Sequence, residues 1–329
     1  MGQPVIVLIK EIYFPVIATI GVPANMLTIV VLCRGKCGLS KCISFYMLAM
    51  ATADLLVMII NVMVNHIFSY NFPLSFLSHT PVCKSILYLA TVALELSIWF
   101  TVSFTIDRFA VICCQKFKAK YCTERTVVVV ITIFSVLVVL KNVPFFFAYE
   151  PQQIIDNMQW GCRSGVAFFS SPIGATFFWF HITCKVCLPF TLIVLFNSLT
   201  SRRIITASRT RKKLRSDKAE EKSDAEIENR RKSIILLFTV SGTFLLVWLT
   251  AVVSFVTTGL ITLRSYRGDR TNPGYIASES GNMLKFLSSC LNPWIYAATQ
   301  RKFREDLKKV LKSPCTLILR CIKKISQST

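Results

Sequence analysis

Runs of twenty or more mainly apolar residues recur along the whole chain, and this recurrence restricts the fold more than any other feature. The hydrocarbon core of a bilayer is about 30 Å thick, and about 20 helical residues cross it. Within it every backbone N–H and C=O must be bonded inside the protein, so runs of this length form helices. Seven spans are read, at about 6–32, 43–68, 81–112, 127–148, 173–200, 233–260 and 274–298. Composition agrees, with 53% of residues hydrophobic, 17% charged and a mean hydropathy of +0.55. The intervening segments are short, the longest polar one being 202–232, which leaves no room for a soluble catalytic domain. The predicted fold is an all-α membrane protein, a seven-helix bundle forming one domain over 1–329, and it is not expected to be an enzyme.

A net charge of +21 could point to nucleic acid, but its distribution points to topology. Segments 33–42, 113–126, 202–232 and 300–329 hold 3, 4, 12 and 9 Lys or Arg, which is 28 of the 38 in the chain. Basic residues gather on the cytoplasmic side of membrane proteins, so the N-terminus is expected outside and the C-terminus inside. The same basic runs attract anionic lipid. No nucleic-acid partner is expected.

That topology also sorts the thirteen cysteines. Cys83, at the top of the third span, and Cys162, in the 149–172 outer loop, fall on the oxidising side and are expected to pair. The other cysteines fall in the membrane or the reducing cytoplasm. After the seventh span, RKFREDLKKVLK at 301–312 places Phe303, Leu307, Val310 and Leu311 at helical spacing among basic residues. This reads as an amphipathic helix lying on the inner leaflet. Cys315 and Cys321 follow it as lipidation candidates, with plain reduced thiols as the alternative.

Short motifs fall in order on these spans. The first holds Gly21-Val22-Pro23-Ala24-Asn25 and the second Leu48-Ala49-Met50-Ala51-Thr52-Ala53-Asp54. The third ends in Thr105-Ile106-Asp107-Arg108-Phe109, the fifth contains Pro189, and the sixth carries Phe244 and Trp248. The seventh carries Asn292-Pro293-Trp294-Ile295-Tyr296. In this ordered set the chain resembles the rhodopsin-like, or class A, G-protein-coupled receptors over nearly its whole length. Among subfamilies it is similar to orphan receptors of the receptor-139 type. The resemblance implies a plasma-membrane receptor that passes an extracellular signal to a heterotrimeric G protein; Ser313, Ser326, Ser328 and Thr329 in the tail are candidates for phosphorylation by receptor kinases and recruitment of arrestin, with ordinary solvated tail as the alternative. It assigns Asp107, Arg108, Phe244, Trp248, Asn292, Pro293 and Tyr296 to the activation switch.

Departures from the family pattern matter as much. An acid often stands at the inner end of the sixth span, where this chain has Arg230, with Glu228 two residues earlier. The usual latch on Arg108 is therefore expected to be missing or rearranged, with raised basal activity. Asn197 stands where the fifth span usually has Tyr, Thr250 where the sixth has Pro, Phe134 where the fourth has Trp, and Gln115 where the second inner loop has Pro.

Asp54 is an ionisable group near the middle of the membrane, where charge is costly unless paired or hydrated. The family fold would bring Asn25, Ser97, Ser288, Ser289 and Asn292 around it, and the equivalent site often holds Na⁺. A polar knot with water and no ion is the alternative. No other cofactor is expected. The ligand pocket is expected among spans three, five, six and seven, with Ala90, Glu95, His181, Lys185, Trp248, Asn282 and Lys285 as candidates. Ala90 occupies the position at which aminergic receptors carry their Asp, and Phe286 the position at which opsins carry their Schiff-base Lys. Amine and retinal chemistry are therefore disfavoured. Glu95 and Lys185 are expected to neutralise each other. Glu150, Asp156, Asp269 and Glu279 with Arg264, Arg267 and Arg270 on the outward side would suit a peptide or a small polar molecule. A transporter or channel is the rival reading, and it would predict internal repeats around a midplane site, which the sequence lacks.

Overall fold

A computed structural model of the chain describes residues 4–34, 40–113, 123–214, 222–261 and 272–312. Helix α1 runs Val5–Cys33, α2 Lys41–Asn71, α3 Thr80–Cys113 and α4 Glu124–Ala148. Helix α5 joins Pro172–Ile182, Thr183–Cys187 and Leu188–Leu214, while α6 is Lys222–Ile261 and α7 Pro273–Thr299. Residues 301–312 form α8. The candidates Cys315, Cys321, Ser313, Ser326, Ser328, Thr329, Gln115, Arg264, Arg267, Asp269 and Arg270 lie outside the described residues.

Local sequence explains where the helices start. Ser171 and Asn272 accept hydrogen bonds from Gly174 N (3.0 Å) and Gly274 N (2.8 Å), with Pro172 and Pro273 at the first helical position. A polar cap followed by proline satisfies one orphan donor and removes another. Within α5, Pro189 has no N–H to offer the Lys185 carbonyl four residues back. The preceding turn, Thr183–Cys187, widens to a π-helical turn, with Leu188 N donating to Thr183 O. Helix α2 also widens, over Val57–Phe68.

Among the described residues, α1 to α6 are long and apolar enough to cross a bilayer. Helix α7 has the length but not the composition, because Glu279, Asn282, Lys285, Ser288, Ser289 and Asn292 all lie on it. Those groups turn inward, towards the bundle. The polar and charged residues Asn25, Asp54, Asn61, Glu95, Arg108 and Asn142 are all buried, while α4 exposes Val129, Ile133, Val136 and Leu140. A surface this apolar around a polar interior suits lipid rather than water.

Helix α3 is central and touches α2, α4, α5 and α6; α1 packs on α2 and α7, and α6 runs along α7. The α6–α7 approach is close: a Cβ on Gly281 would lie 2.7 Å from Ala251 Cα. Helix α8 folds back beneath the bundle, burying Phe303 with its ring edge-on to Tyr296 at 6.1 Å. Arg304 Nη1 donates to the Ala297 and Ala298 carbonyls (2.8 and 2.9 Å), satisfying the last turn of α7.

The loop between α4 and α5 forms two small antiparallel ladders. β1 (Tyr149–Glu150) pairs with β4 (Arg163–Ser164), and β2 (Gln153–Ile155) pairs with β3 (Met158–Trp160). Asp156 and Asn157 turn the hairpin with φ of 50° and 62°, a conformation that these residue types tolerate. Cys83 and Cys162 form a disulfide with Cα atoms 6.0 Å apart. Around it, Gly161 N donates to Ser78 O (2.7 Å) and Thr80 Oγ1 donates to Gly161 O (2.8 Å). The loop is thus stitched to the first turn of α3, and burial beneath it pushes the Tyr149 phenol above its ordinary pKa.

Candidate ligand pocket and signalling switch

At the end opposite the disulfide, Arg108 is 2% exposed. Its Nε donates to Asp107 Oδ2 at 3.0 Å and Nη2 pairs with the same carboxylate, while the guanidinium lies 5.9 Å from the Phe104 ring centre. A charge this buried must be paired. From α6, Ser233 Oγ accepts from Arg108 Nη1 at 3.5 Å. The sequence pointed to Arg230 and Glu228, whose side chains are outside the described residues, and Ser233 was missed. A hydroxyl gave no signal, because the family pattern directs attention to an acid.

Asn197 also finds α6, with Nδ2 donating to Ser241 Oγ at 2.7 Å. Tyr296 is fully buried and turns its hydroxyl to Met50 Sδ at 3.9 Å, while Pro293 is buried in the same helix. Phe134 stacks on Trp99 at 4.9 Å. Phe244 and Trp248 stack at 5.3 Å, with Phe190 beside Phe244 at 5.7 Å. Thr250 leaves α6 unbroken from Lys222 to Ile261.

Between the two ends, Asp54 is fully buried. Ser97 Oγ donates to its Oδ1 (2.6 Å), Asn292 Nδ2 to its Oδ2 (2.7 Å), and Ser289 is a third partner. Ser288 is half-buried and is not among the groups bonding this carboxylate. Asn25 Nδ2 donates to Ser289 O at 3.0 Å, leaving its own Oδ1 buried without a hydrogen bond.

Towards the disulfide end the candidate pocket residues separate into groups. Glu95 is wholly buried, and its Oε1 lies 2.6 Å from Lys141 Nζ, an ion pair not aligned as a hydrogen bond. Asn142 Nδ2 donates to Glu95 Oε2 at 2.8 Å, and Lys141 Nζ lies 3.2 Å from His181 Nδ1. The expected Glu95–Lys185 pair is therefore corrected: the close partner is Lys141 on α4, with Lys185 only within electrostatic reach. Lys141 sits one turn before Pro144, inside the span read at 127–148, and was not among the polar residues that the sequence singled out. His181 packs edge-on to Phe145 at 4.5 Å, so it belongs to this buried cluster.

On the other side, Lys285 Nζ donates to Asn282 Oδ1 at 2.7 Å and lies 4.8 Å from the Phe286 ring. Ala90 is buried, and its carbonyl accepts from Asn61 Nδ2 at 3.0 Å, so it offers a pocket little but its methyl group. Glu279, expected on the outward surface, instead pairs with Lys10 on α1 at 2.5 Å. A cavity of about 420 Å³ opens beside that pair, lined by Lys10, Phe14, His66, Tyr70 and Tyr275 among others. It lies between α1, α2 and α7, away from the pocket expected from the sequence.

The arrangement is a buried polar cluster around Asp54, with charged clusters towards the disulfide end and a caged arginine at the other. Residues 24–296 match the sequence model of the family described as 7 transmembrane receptor (rhodopsin family). That match takes in the motif residues from Asn25 to Tyr296, and by it the chain belongs to the rhodopsin family of seven-transmembrane receptors.

Proposed function

We propose that the protein lies in the plasma membrane with its N-terminus outside, and converts binding of an extracellular peptide or small polar molecule into activation of a cytoplasmic heterotrimeric G protein. The observation that carries this reading is Arg108, buried between Asp107 and Ser233 at the end opposite the disulfide. A ligand that favours a bundle in which α6 has moved away releases the guanidinium for a partner, and it does so only through its differential affinity for that state. The basic surface at this end supports the inward orientation and contact with anionic lipid. Receptor kinases and arrestin are the further partners proposed for the tail.

The test is second-messenger output without ligand, with surface expression matched. Arg108→Ala is expected to reduce the basal signal at least tenfold. Ser233→Glu gives Arg108 an ionic partner on α6 and is expected to lower the basal signal several-fold. A signal unchanged in both variants rejects the caged arginine as the switch.

Sodium at Asp54 is proposed with it. The oxygens of Asp54, Ser97 and Ser289 suit a small hard cation, and the unpartnered Asn25 Oδ1 supplies a spare acceptor in the same layer. Asn292 presents a donor and would steady the carboxylate rather than the ion. Bound sodium would neutralise Asp54 and favour the closed bundle. Replacing choline chloride by sodium chloride is expected to lower basal signalling in the wild type and leave Asp54→Ala unmoved. Equal sodium responses in both would reject the site.

A further inference from the structure

The residue that meets Arg108 from α6 closes the run Arg230-Arg231-Lys232-Ser233. A serine preceded at two and three positions by arginine carries a charge pattern that protein kinases with acidic substrate clefts select. Ser233 is half-buried, and Arg231 is exposed. The segment ahead of the serine, Lys222–Lys232, holds Ile227 as its one large apolar residue. Helix stability comes mainly from packing of an apolar face, so a sequence of this kind unwinds at little cost into the extended form that a kinase cleft takes. Movement of α6 away from α3 would free the hydroxyl itself.

Geometry gives the modified residue a partner. Arg108 turns Nε (3.0 Å) and Nη2 to Asp107, while Nη1 reaches Ser233 Oγ at 3.5 Å, the long limit of a hydrogen bond. A neutral hydroxyl at that distance holds a guanidinium weakly. A phosphate on the same Oγ brings close to two negative charges and three acceptor oxygens, in a geometry that arginine binds bidentately. Asp107, on the Nε edge of the guanidinium, opposes a second anion. Arg231 and Lys232, next to Ser233 in the chain, offset that repulsion. Arg108 is 2% exposed, so the new pair is screened far less than one at the surface.

Resting on the receptor reading above, we infer that Ser233 is a phosphorylation site for a serine kinase that selects basic substrates, and that phosphoserine here ties α6 to Arg108 and holds the bundle closed. The γ-phosphoryl group of ATP passes to Ser233 Oγ. The new Oγ–P bond replaces the bond from that phosphorus to the bridging oxygen, ADP leaves with the oxygen, and the hydroxyl proton goes to the kinase's catalytic carboxylate. The latch expected to be missing at Arg230 is thereby supplied about one turn further along, by a charge that can be added and removed.

The test uses purified full-length receptor in phosphatidylcholine nanodiscs, treated with ATP and the catalytic subunit of cAMP-dependent protein kinase as the probe kinase. Peptide mass spectrometry locates the phosphate, and thermal unfolding reads the latch. Phosphate is expected on Ser233, with an unfolding temperature raised by a few degrees that phosphatase treatment returns to its starting value. Arg108→Ala should take the phosphate without the rise. Ser233→Ala should take none at this position and show no rise, which also controls for phosphate elsewhere in the chain. Should Arg108→Ala fail to fold, Ser233→Ala, which removes one hydroxyl, decides the case. The double variant Arg230→Gln with Arg231→Gln should slow modification of Ser233 by roughly tenfold or more, since charged contacts to the kinase are lost. The proposal is overturned by Ser233 left unmodified, by an equal rise in Ser233→Ala, or by phosphorylated wild type that unfolds no later than untreated receptor. Nanodiscs leave both faces open and the readout needs no G protein, so failure of this latch and failure of the receptor reading are separately visible.

Discussion

Glu95→Ala is expected to destabilise the folded bundle by about 3 kcal/mol, because it leaves the largely buried Lys141 ammonium without its counter-ion. Asn142 loses its acceptor at the same time, and an unsatisfied buried amide adds to the cost. Thermal unfolding of purified receptor measures the loss, and reduced surface expression should accompany it. Lys141→Met is expected to be at least as harmful, since the wholly buried Glu95 would then be the uncompensated charge. The double variant Glu95→Leu with Lys141→Met should recover most of the stability, because well-packed apolar residues replace a buried ion pair at little cost. Residues in contact couple, so the double-mutant cycle isolates this pair. Lys185→Gln provides the contrast. It should be tolerated, whereas equal damage from Lys185→Gln and Lys141→Met would restore the pairing expected from the sequence.

Removing the disulfide, by Cys83→Ala or Cys162→Ala, has the second large effect. The bridge spans a sequence separation of 79, for which chain entropy alone gives about 4.5 kcal/mol. Much of that loop consists of α3 and α4, which remain helical in a bilayer, so the expected loss is about 2–4 kcal/mol. It should concentrate at the loop. Gly161 N and Thr80 Oγ1 hold the strands only while the loop stays docked, so hydrogen exchange in Gln153–Trp160 should rise more than in α3. Uniform exchange changes along α3 and the loop would show that the bridge supports the bundle as a whole.

Much of the fold was legible because a bilayer allows so few solutions. A mainly apolar run such as 127–148 is long enough to cross and reads as a spanning helix, and the backbone rule applies whatever its neighbours are. Helix α7 was legible for a different reason. Its polar residues weaken it as a hydropathy signal, and Asn292-Pro293 marked it instead. Pairings across helices were not legible, since they depend on how each helix is rotated about its axis. Glu95 and Lys185 have opposite charge and similar depth, yet α4 turns Lys141 into the gap first. Ser233, Asn61 and the cavity between α1, α2 and α7 escaped for the same reason: a hydroxyl, an amide or a void carries no sequence signal until its facing helix is placed. The loop hairpin left only Asp156-Asn157 as a trace.

The unbroken α6 has a mechanical consequence. From Trp248 back to Lys222 is 26 residues of continuous helix, a rod of about 39 Å at 1.5 Å per residue. A rod without a proline joint cannot absorb motion in the middle, so it acts as a lever whose fulcrum is the tight Gly281–Ala251 contact. Ser233 lies about 27 Å along the helix from Ala251, so a tilt of about 5° there moves it by about 2 Å, enough to part it from Arg108, which it meets at 3.5 Å. A proline inside the helix would let bending supply such a displacement. On the activation proposed for this chain leverage would supply it, with the gain set by the distance between the fulcrum and the guanidinium.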